Sequence, residues 1–550
     1  MVDRRRLQSG RLVVRGGAVR RPPRAAVWWL PIALAGVYGL IVLGRFRGLT
    51  AYVYTNSDFA MAPVIGHALG STPPGTHVMI GDYGWYEPLV FIRFTDWLPF
   101  HRQLWDVAPL LFDVGALALL VWSVRRAFGV WSAALVGAAV VCLGEGGLIA
   151  FVAFNSHGAT AVHAVVLGVV LAWLAPRERV IPWPWLAIGS LGLGLLSGAA
   201  VPDHLFLVWG LAPFVLAAIL VAWRATTPAT LRLVAFALAT TAVALLAGGA
   251  FTAVMHHNGV GTAAVPLTFA ASSALPGQFV EMLEDLTQLV SGDFFGLPID
   301  FVGVATFASG ALVLGAVAMV LIELRRRVRL AAARAPGRGS ETVTPRFAHT
   351  SFWSICLVVS LGAFTFGSFG GGAGGARYLL AAYIAVAALL PLLVERGFGF
   401  RLSLAAAVSL LALLSTYQLV RGPVNPQVRS PSTGEENAFA RFAASHDLKY
   451  GYAGYWDSLP FTWASDFRVN VFPVFQCAQG SLTLCPFPTV TVSSWYSPRP
   501  HTRTFLIVDP TEPFVSAPDP ALGKPTSTAV IGHLQIYVYP YDIASRLRAG

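Results

Sequence analysis

Through residue 421 the chain alternates long apolar runs with short polar breaks rich in arginine or aromatic residues. A helix rises ~1.5 Å per residue, so about 20 apolar residues cross a hydrocarbon core ~30 Å thick. On that measure about eleven runs span a bilayer. They lie near 27–44, 106–124, 129–150, 159–175, 184–200, 204–223, 232–254, 301–323, 351–369, 378–395 and 402–420, and the pair around Pro202 also admits a re-entrant element. The period then changes. After a Pro-rich link from Gly422 to Pro431 comes an amphipathic helical stretch, Glu435 to His446. Strand-like runs follow at Tyr450 to Trp456, Phe467 to Phe475, Thr504 to Val508 and Leu534 to Tyr539, divided by turn signals. The pattern predicts a polytopic α-helical membrane protein with a small α/β C-terminal domain. Its parts are a basic tail over 1–26, a transmembrane module over 27–421 whose first long loop is 45–105, and the domain 422–550.

Arginine placement orients the spans. Arg4, Arg5, Arg6, Arg11, Arg15, Arg20, Arg21 and Arg24 crowd the N-terminal tail, and such a flank stays cytoplasmic. Every second loop is then cytoplasmic. Those loops hold or border Arg125 and Arg126, Arg177 and Arg179, Arg224 and Arg232, Arg325 to Arg329, and Arg396 and Arg401, whereas the loop from His256 to Asp300 has neither Lys nor Arg. An odd number of spans places the C-terminal domain outside the cytoplasm. The first apolar run is too long for a signal-peptide core and no small-residue cleavage site follows it, so it reads as a retained span. Cysteine usage agrees with this topology. Cys477 and Cys485 lie close together in the C-terminal domain, where a disulfide would need an oxidising compartment, while Cys142 and Cys356 fall in spans. The alternative is a pair of reduced thiols.

Of 550 residues 55% are hydrophobic and only 12% charged, which excludes a string of soluble domains. The net charge of +11 sits in the arginine clusters rather than along one exposed face, so it does not point to nucleic acid. The same parity sorts the candidate chemistry. Asp58, Glu87, His157, Asp203, His204, His256, His257, Asp293, Arg377 and Tyr378 all fall in outward loops or at outward helix ends, in one layer; Glu145 is the exception by depth. A positioned carboxylate can take the proton of an attacking hydroxyl, and Asp58, just past the first span, has that chemistry, with Glu87 in reserve. Its plainer reading is a helix-end acid. Arg377 follows the flexible run G-G-G-A-G-G and offers a fork of donors to a lipid phosphate, or else snorkels to headgroups without specificity. Asp203 and His204 line a cavity or cap helix ends. His256 and His257 with Asp293 suggest a metal site, although adjacent histidines rarely face one ion. Trp85, Tyr86 and Trp97 stack on sugars or anchor at the interface, and G-Y-A-G-Y-W-D from Gly451 to Asp457 binds glycan or packs a core.

The T-N-S-D run at Thr55 to Asp58, V-P-D-H-L-F at Val201 to Phe206 and G-A-R-Y-L-L at Gly375 to Leu380 resemble the GT-C superfamily of integral-membrane glycosyltransferases, which take sugars from polyprenyl-phosphate carriers. The resemblance extends to the architecture: a cytoplasmic N-terminus, a long first outward loop with an acid after the first span, about a dozen spans and an outward C-terminal domain. It implies a catalytic base at Asp58 and a carrier-phosphate contact at Arg377 in its pair with Tyr378. The residues themselves, apart from the resemblance, put Asp203, His204, His257 and Trp85 forward for the substrate cavity. An adjacent D-D or E-D pair is missing from the first loop, which leaves a divalent metal ion open as a cofactor.

These readings converge on an inverting glycosyltransferase in the cytoplasmic membrane. It would move a sugar from a polyprenyl-phosphate donor to a cell-envelope glycan or lipid acceptor on the outer face. The reading from a different class is a transporter or flippase of a lipid-linked envelope intermediate. Charged groups near the midplane, broken helices or two similar halves would mark a transporter, and the sequence shows none clearly.

Overall fold

The computed structural model describes residues 26–53, 56–71, 76–80, 86–95, 97–99, 101–144, 147–148, 157–175, 181–262, 268–333, 344–367, 375–421, 433–478 and 482–548. Most of the first 421 residues are helical, and among the described residues seven helices are long and apolar enough to cross a membrane. They are Gln103–Phe128, Leu207–Arg224, Pro228–His257, Phe301–Leu330, Pro345–Phe366, Gly375–Val394 and Phe398–Arg421. The protein is therefore a multi-pass membrane protein. The other four expected spans correspond to the helices Ala26–Gly44, Val130–Val141, Gly158–Leu174 and Trp183–Gly198, of 19, 12, 17 and 16 residues, the last three shorter than any of the seven. Breaks in the sequence account for the difference: the run expected over 129–150 loses its helix at Cys142, before the glycines of G-E-G-G.

Gly375–Val394 is the central helix, buried along nearly its whole length, while the other long helices expose apolar faces suited to lipid. Small residues let the packing close up. A Cβ on Gly194 would meet Val243 Cβ at 2.6 Å and one on Gly198 would meet Ala247 Cβ at 2.7 Å, so the Trp183–Gly198 and Pro228–His257 helices touch nearly backbone to backbone. At the end of the bundle away from the C-terminal region the arginine clusters find acids. Glu323, fully buried, accepts from Arg326, Arg327 and Arg396 at 3.0, 2.8 and 2.7 Å, and Glu395 pairs with Arg327 and Arg346. Arginines that read as topology markers thus also tie neighbouring helices together.

The C-terminal region begins with a helix, Thr433–Ser445, packed on a six-stranded sheet. Its order is Leu484–Pro486, Asn470–Gln476, Tyr450–Ala453, Thr504–Val508, Leu534–Tyr539 and Ser527–Ile531, with the three strands Asn470–Gln476, Tyr450–Ala453 and Thr504–Val508 mutually parallel. Thr504–Val508 is buried at every position, as a parallel strand covered on both faces requires. The expected run Tyr450 to Trp456 stops as a strand at Ala453, because Gly454 turns the chain into the helix Tyr455–Ala464. Ser527–Ile531 and Leu484–Pro486 are strands that the sequence pattern did not reveal. Cys477 and Cys485 form a disulfide across the Asn470–Gln476 and Leu484–Pro486 pair, with a Cα–Cα distance of 5.2 Å.

A second, three-stranded sheet joins distant loops. Val78–Ile80 pairs in parallel with Val260–Thr262 and antiparallel with Thr491–Val492, so the first long loop, the loop after Pro228–His257 and the C-terminal region share one ladder. Helix Ser57–Ser71 packs on Tyr455–Ala464 beside it. The C-terminal region is thereby seated on the first loop.

Candidate active site

Asp58 lies in the first turn of Ser57–Ser71, where its NH donates to Asn56 Oδ1 at 2.8 Å and the side chain points from the positive end of the helix. Two elements far away in sequence meet its carboxylate. Arg377, in the 3-10 turn Gly375–Leu379 that opens the central helix, donates from Nη1 to Asp58 Oδ2 at 3.2 Å. Tyr455 donates its hydroxyl to Asp58 Oδ1 at 2.6 Å. The Asp58 and Arg377 side chains are 22% and 16% exposed, enough for a ligand to reach them and too little for bulk water to screen them fully.

Tyr455 is positioned by the sheet. It follows the carboxyl end of the parallel strand Tyr450–Ala453, and in open α/β sheets that edge is where ligand contacts gather. Its ring stacks on Phe487 with centroids 4.6 Å apart, and its backbone carbonyl accepts from Ser57 Oγ. The next residue, Trp456, donates its NH to Glu512 Oε1 at 2.8 Å at the start of the helix. Beside Glu512, both oxygens of the fully buried Asp457 lack a hydrogen-bond partner among the described residues. Burial and then the neighbours Glu512, Asp509 and Glu435 push the Asp457 carboxyl well up. Burial raises Glu512 to about 8 against the pull of the Trp456 NH. A carboxyl raised on folding holds its proton more tightly in the folded chain, so its stabilising contribution is full at acid pH and is lost as pH rises toward 8. Thermal unfolding of the full chain should therefore show a falling midpoint between about pH 5 and 8, and Glu512→Gln should flatten that slope, which approaches about 1.4 kcal/mol per pH unit for one such group. An unchanged slope in the variant would assign the effect elsewhere.

Behind Arg377 the residues form a continuous series. The guanidinium carbon stands 5.3 Å from the centre of the Tyr378 ring, and the His157 ring lies 5.3 Å from the same ring. His157 Nδ1 and Asp203 Oδ2 are 2.7 Å apart, and Thr160 Oγ1 donates to the same oxygen. Burial alone would raise the Asp203 carboxyl, but His157, Thr160 and the Leu205 NH bring it below its ordinary value, so Asp203 stays an anion beneath the site. His157 adopts a left-handed backbone conformation, φ 63°, at the start of Gly158–Leu174. From the far side Asp285 presses on the turn that carries Arg377: a Cβ on Gly375 would lie 2.2 Å from Asp285 Oδ2, so any side chain there would displace the Asp285 carboxyl. Burial, then Glu281, Glu284 and Asp293, push Asp285 up to about 7.

The structure thus brings Asp58, Arg377, Tyr378 and Asp203 into one group. His204 is exposed on the turn beside Asp203, and His257 is exposed at the end of Pro228–His257, where no side-chain hydrogen bond or ion pair links it to that group. Glu87 is on the helix Tyr86–Thr95, but its side chain, like Trp85, Asp82 and Glu145, lies outside the described residues. Tyr455 is the participant the sequence did not single out, and His157, placed in the outward layer, is given no role of its own by the sequence. The aromatic cluster around Tyr455 was visible, but its pairing with Asp58 spans 397 positions. Among the described residues no three His, Cys, Asp or Glu side chains converge on one point where a divalent ion could be held.

No family model and no curated protein matches the chain. Among solved structures it is similar to the oligosaccharyltransferase AglB of Archaeoglobus fulgidus in complex with an inhibitory peptide and a dolichol-phosphate, at 13% identity over 80% of this chain and 64% of that one, with a TM-score of 0.42. It is also similar to the A. fulgidus enzyme in complex with Zn and sulfate, at 14% identity over 81% and 62%, TM-score 0.41. A third structure, tethered to an acceptor peptide, gives 12% identity over 88% and 69%, TM-score 0.42. The chain covers less than two thirds of the first two. At this degree of likeness no residue role carries across.

Proposed function

We propose that the protein is an inverting GT-C-type glycosyltransferase that moves a sugar from a polyprenyl-phosphate donor to a cell-envelope glycan or lipid on the outer face of the cytoplasmic membrane. The observation that carries this reading is the meeting of Asp58 and Arg377 at the head of the buried central helix. An acceptor hydroxyl attacks the sugar carbon from the face opposite the phosphate. Its proton passes to Asp58 as the new bond forms, while the bond to the phosphate oxygen breaks and its electron pair leaves with the carrier. Arg377 offers that oxygen paired donors and a fixed positive charge, with Tyr378 supporting the guanidinium plane. The side follows from the arginine pattern, and the disulfide supports it, because Cys477 and Cys485 stay oxidised outside the cytoplasm.

The test combines two measurements. Purified protein in lipid nanodiscs, given radiolabelled polyprenyl-phosphate sugars and envelope extract, should transfer label to the acceptor fraction. Mass spectrometry of a deletion strain should show one polyprenyl-phosphate sugar accumulating and one envelope glycan lacking its sugar. A flippase would reproduce the second result without the first. No transfer by the purified protein together with an unchanged glycan profile in the deletion strain would sink both.

A further inference from the structure

In the structure the candidate base and the candidate phosphate contact hold each other. Arg377 Nη1 is on Asp58 Oδ2, and it is that oxygen which would take the acceptor's proton. A carrier phosphate reaching Arg377 competes with Asp58 for the same donors, since both are anions matched to one guanidinium fork. When the phosphate wins, Oδ2 loses the Arg377 donor and gains capacity to accept from the acceptor. Asp58 then keeps its hydrogen bond from Tyr455 on Oδ1, the other oxygen.

We infer that Tyr455 is a positioning residue for Asp58, supplied by the C-terminal domain, which holds the carboxylate in place when the donor phosphate draws Arg377 away. The inference rests on the transferase reading and gives the C-terminal domain a role in it. Tyr455 is held without the donor by contacts that include the Phe487 stack, an edge contact with Phe514 at 6.2 Å and the Ser57 and Ser458 hydroxyls on its carbonyl, while the next residue, Trp456, is fixed by its NH on Glu512. None of them involves Arg377, so the movement of Arg377 leaves Tyr455 where it is. The arrangement also sets an order: donor binding uncovers the basic oxygen, so the donor enters before the acceptor is activated. Without donor, Arg377 donates to Oδ2 and competes there with any water molecule or stray hydroxyl.

The experiment uses the full chain in nanodiscs and polyprenyl monophosphate, without sugar, as the probe. Carbodiimide modification of Asp58 is followed by peptide mass spectrometry. In the wild type the probe should raise modification severalfold by taking Arg377 off Asp58. Tyr455→Phe keeps the ring on Phe487 and removes only the hydroxyl, so it should raise modification severalfold with or without the probe. In transfer assays the same variant should lose kcat about tenfold, the scale of one hydrogen bond to a charged group, with donor KM unchanged. Modification insensitive to the probe, or Tyr455→Phe matching the wild type in modification and kcat, would overturn the inference. A wild type with this modification pattern and no transfer would count against the transferase reading alone, because the labelling needs no turnover.

Discussion

Replacing Asp58 with Asn is expected to lower sugar transfer on the order of 10²-fold or more, the usual scale for a removed general base. The change keeps volume and hydrogen-bonding reach, so the Tyr455 hydroxyl and the Asn56 cap retain partners and folding should survive. It also removes the anion that competes for Arg377. Donor KM should therefore hold or fall while kcat collapses, a split that distinguishes lost chemistry from a disturbed binding site. Glu87→Gln, measured beside it, is the control from the same loop. Near-normal turnover in Asp58→Asn with loss only in Glu87→Gln would move the base to Glu87.

The second large effect is expected at Arg377. Arg377→Lys keeps the charge and loses the planar fork. It loses the Nη2 donor that stands 3.5 Å from the Tyr378 hydroxyl and the flat face over the Tyr378 ring. Donor KM should rise about tenfold or more, and kcat should fall with it, because the leaving phosphate loses a paired donor. Arg377→Ala should be worse, leaving Asp58 without its counter-ion beside a half-buried turn. Unchanged donor kinetics in Arg377→Ala would reduce this arginine to a partner of Asp58.

Which parts of this were legible in the sequence follows from how far each signal reaches. Helices of the bundle announce themselves through continuous apolar runs, and the amphipathic stretch expected from Glu435 appears as Thr433–Ser445. Asp58 and Arg377 stood out singly because a charge at a span end is costly to place there without use. Their contact could not be read: it joins positions 319 apart, and only the packing of the central helix beside the first loop brings them together. The three-residue strands Val78–Ile80 and Val260–Thr262 are too short to show an alternation, and the ladder they form is set by loops that meet from three parts of the chain. His157 and Asp203 looked like helix-end residues. Their use as a buried pair under Tyr378 depends on a left-handed turn at His157 that no composition signals.

The small ladder of Val78–Ile80 also bears on the order in which the molecule is made. Ribosomes add about 5–20 residues per second, so the first-loop strand waits tens of seconds for Val260–Thr262 and longer for Thr491–Val492. Every long apolar helix has by then left the ribosome, whereas the second edge of that strand is still bare. A nascent chain halted before Thr491 can thus be fully inserted while its first loop lacks the second edge of its ladder, and Asp58 meets Tyr455 only after the central helix has been made.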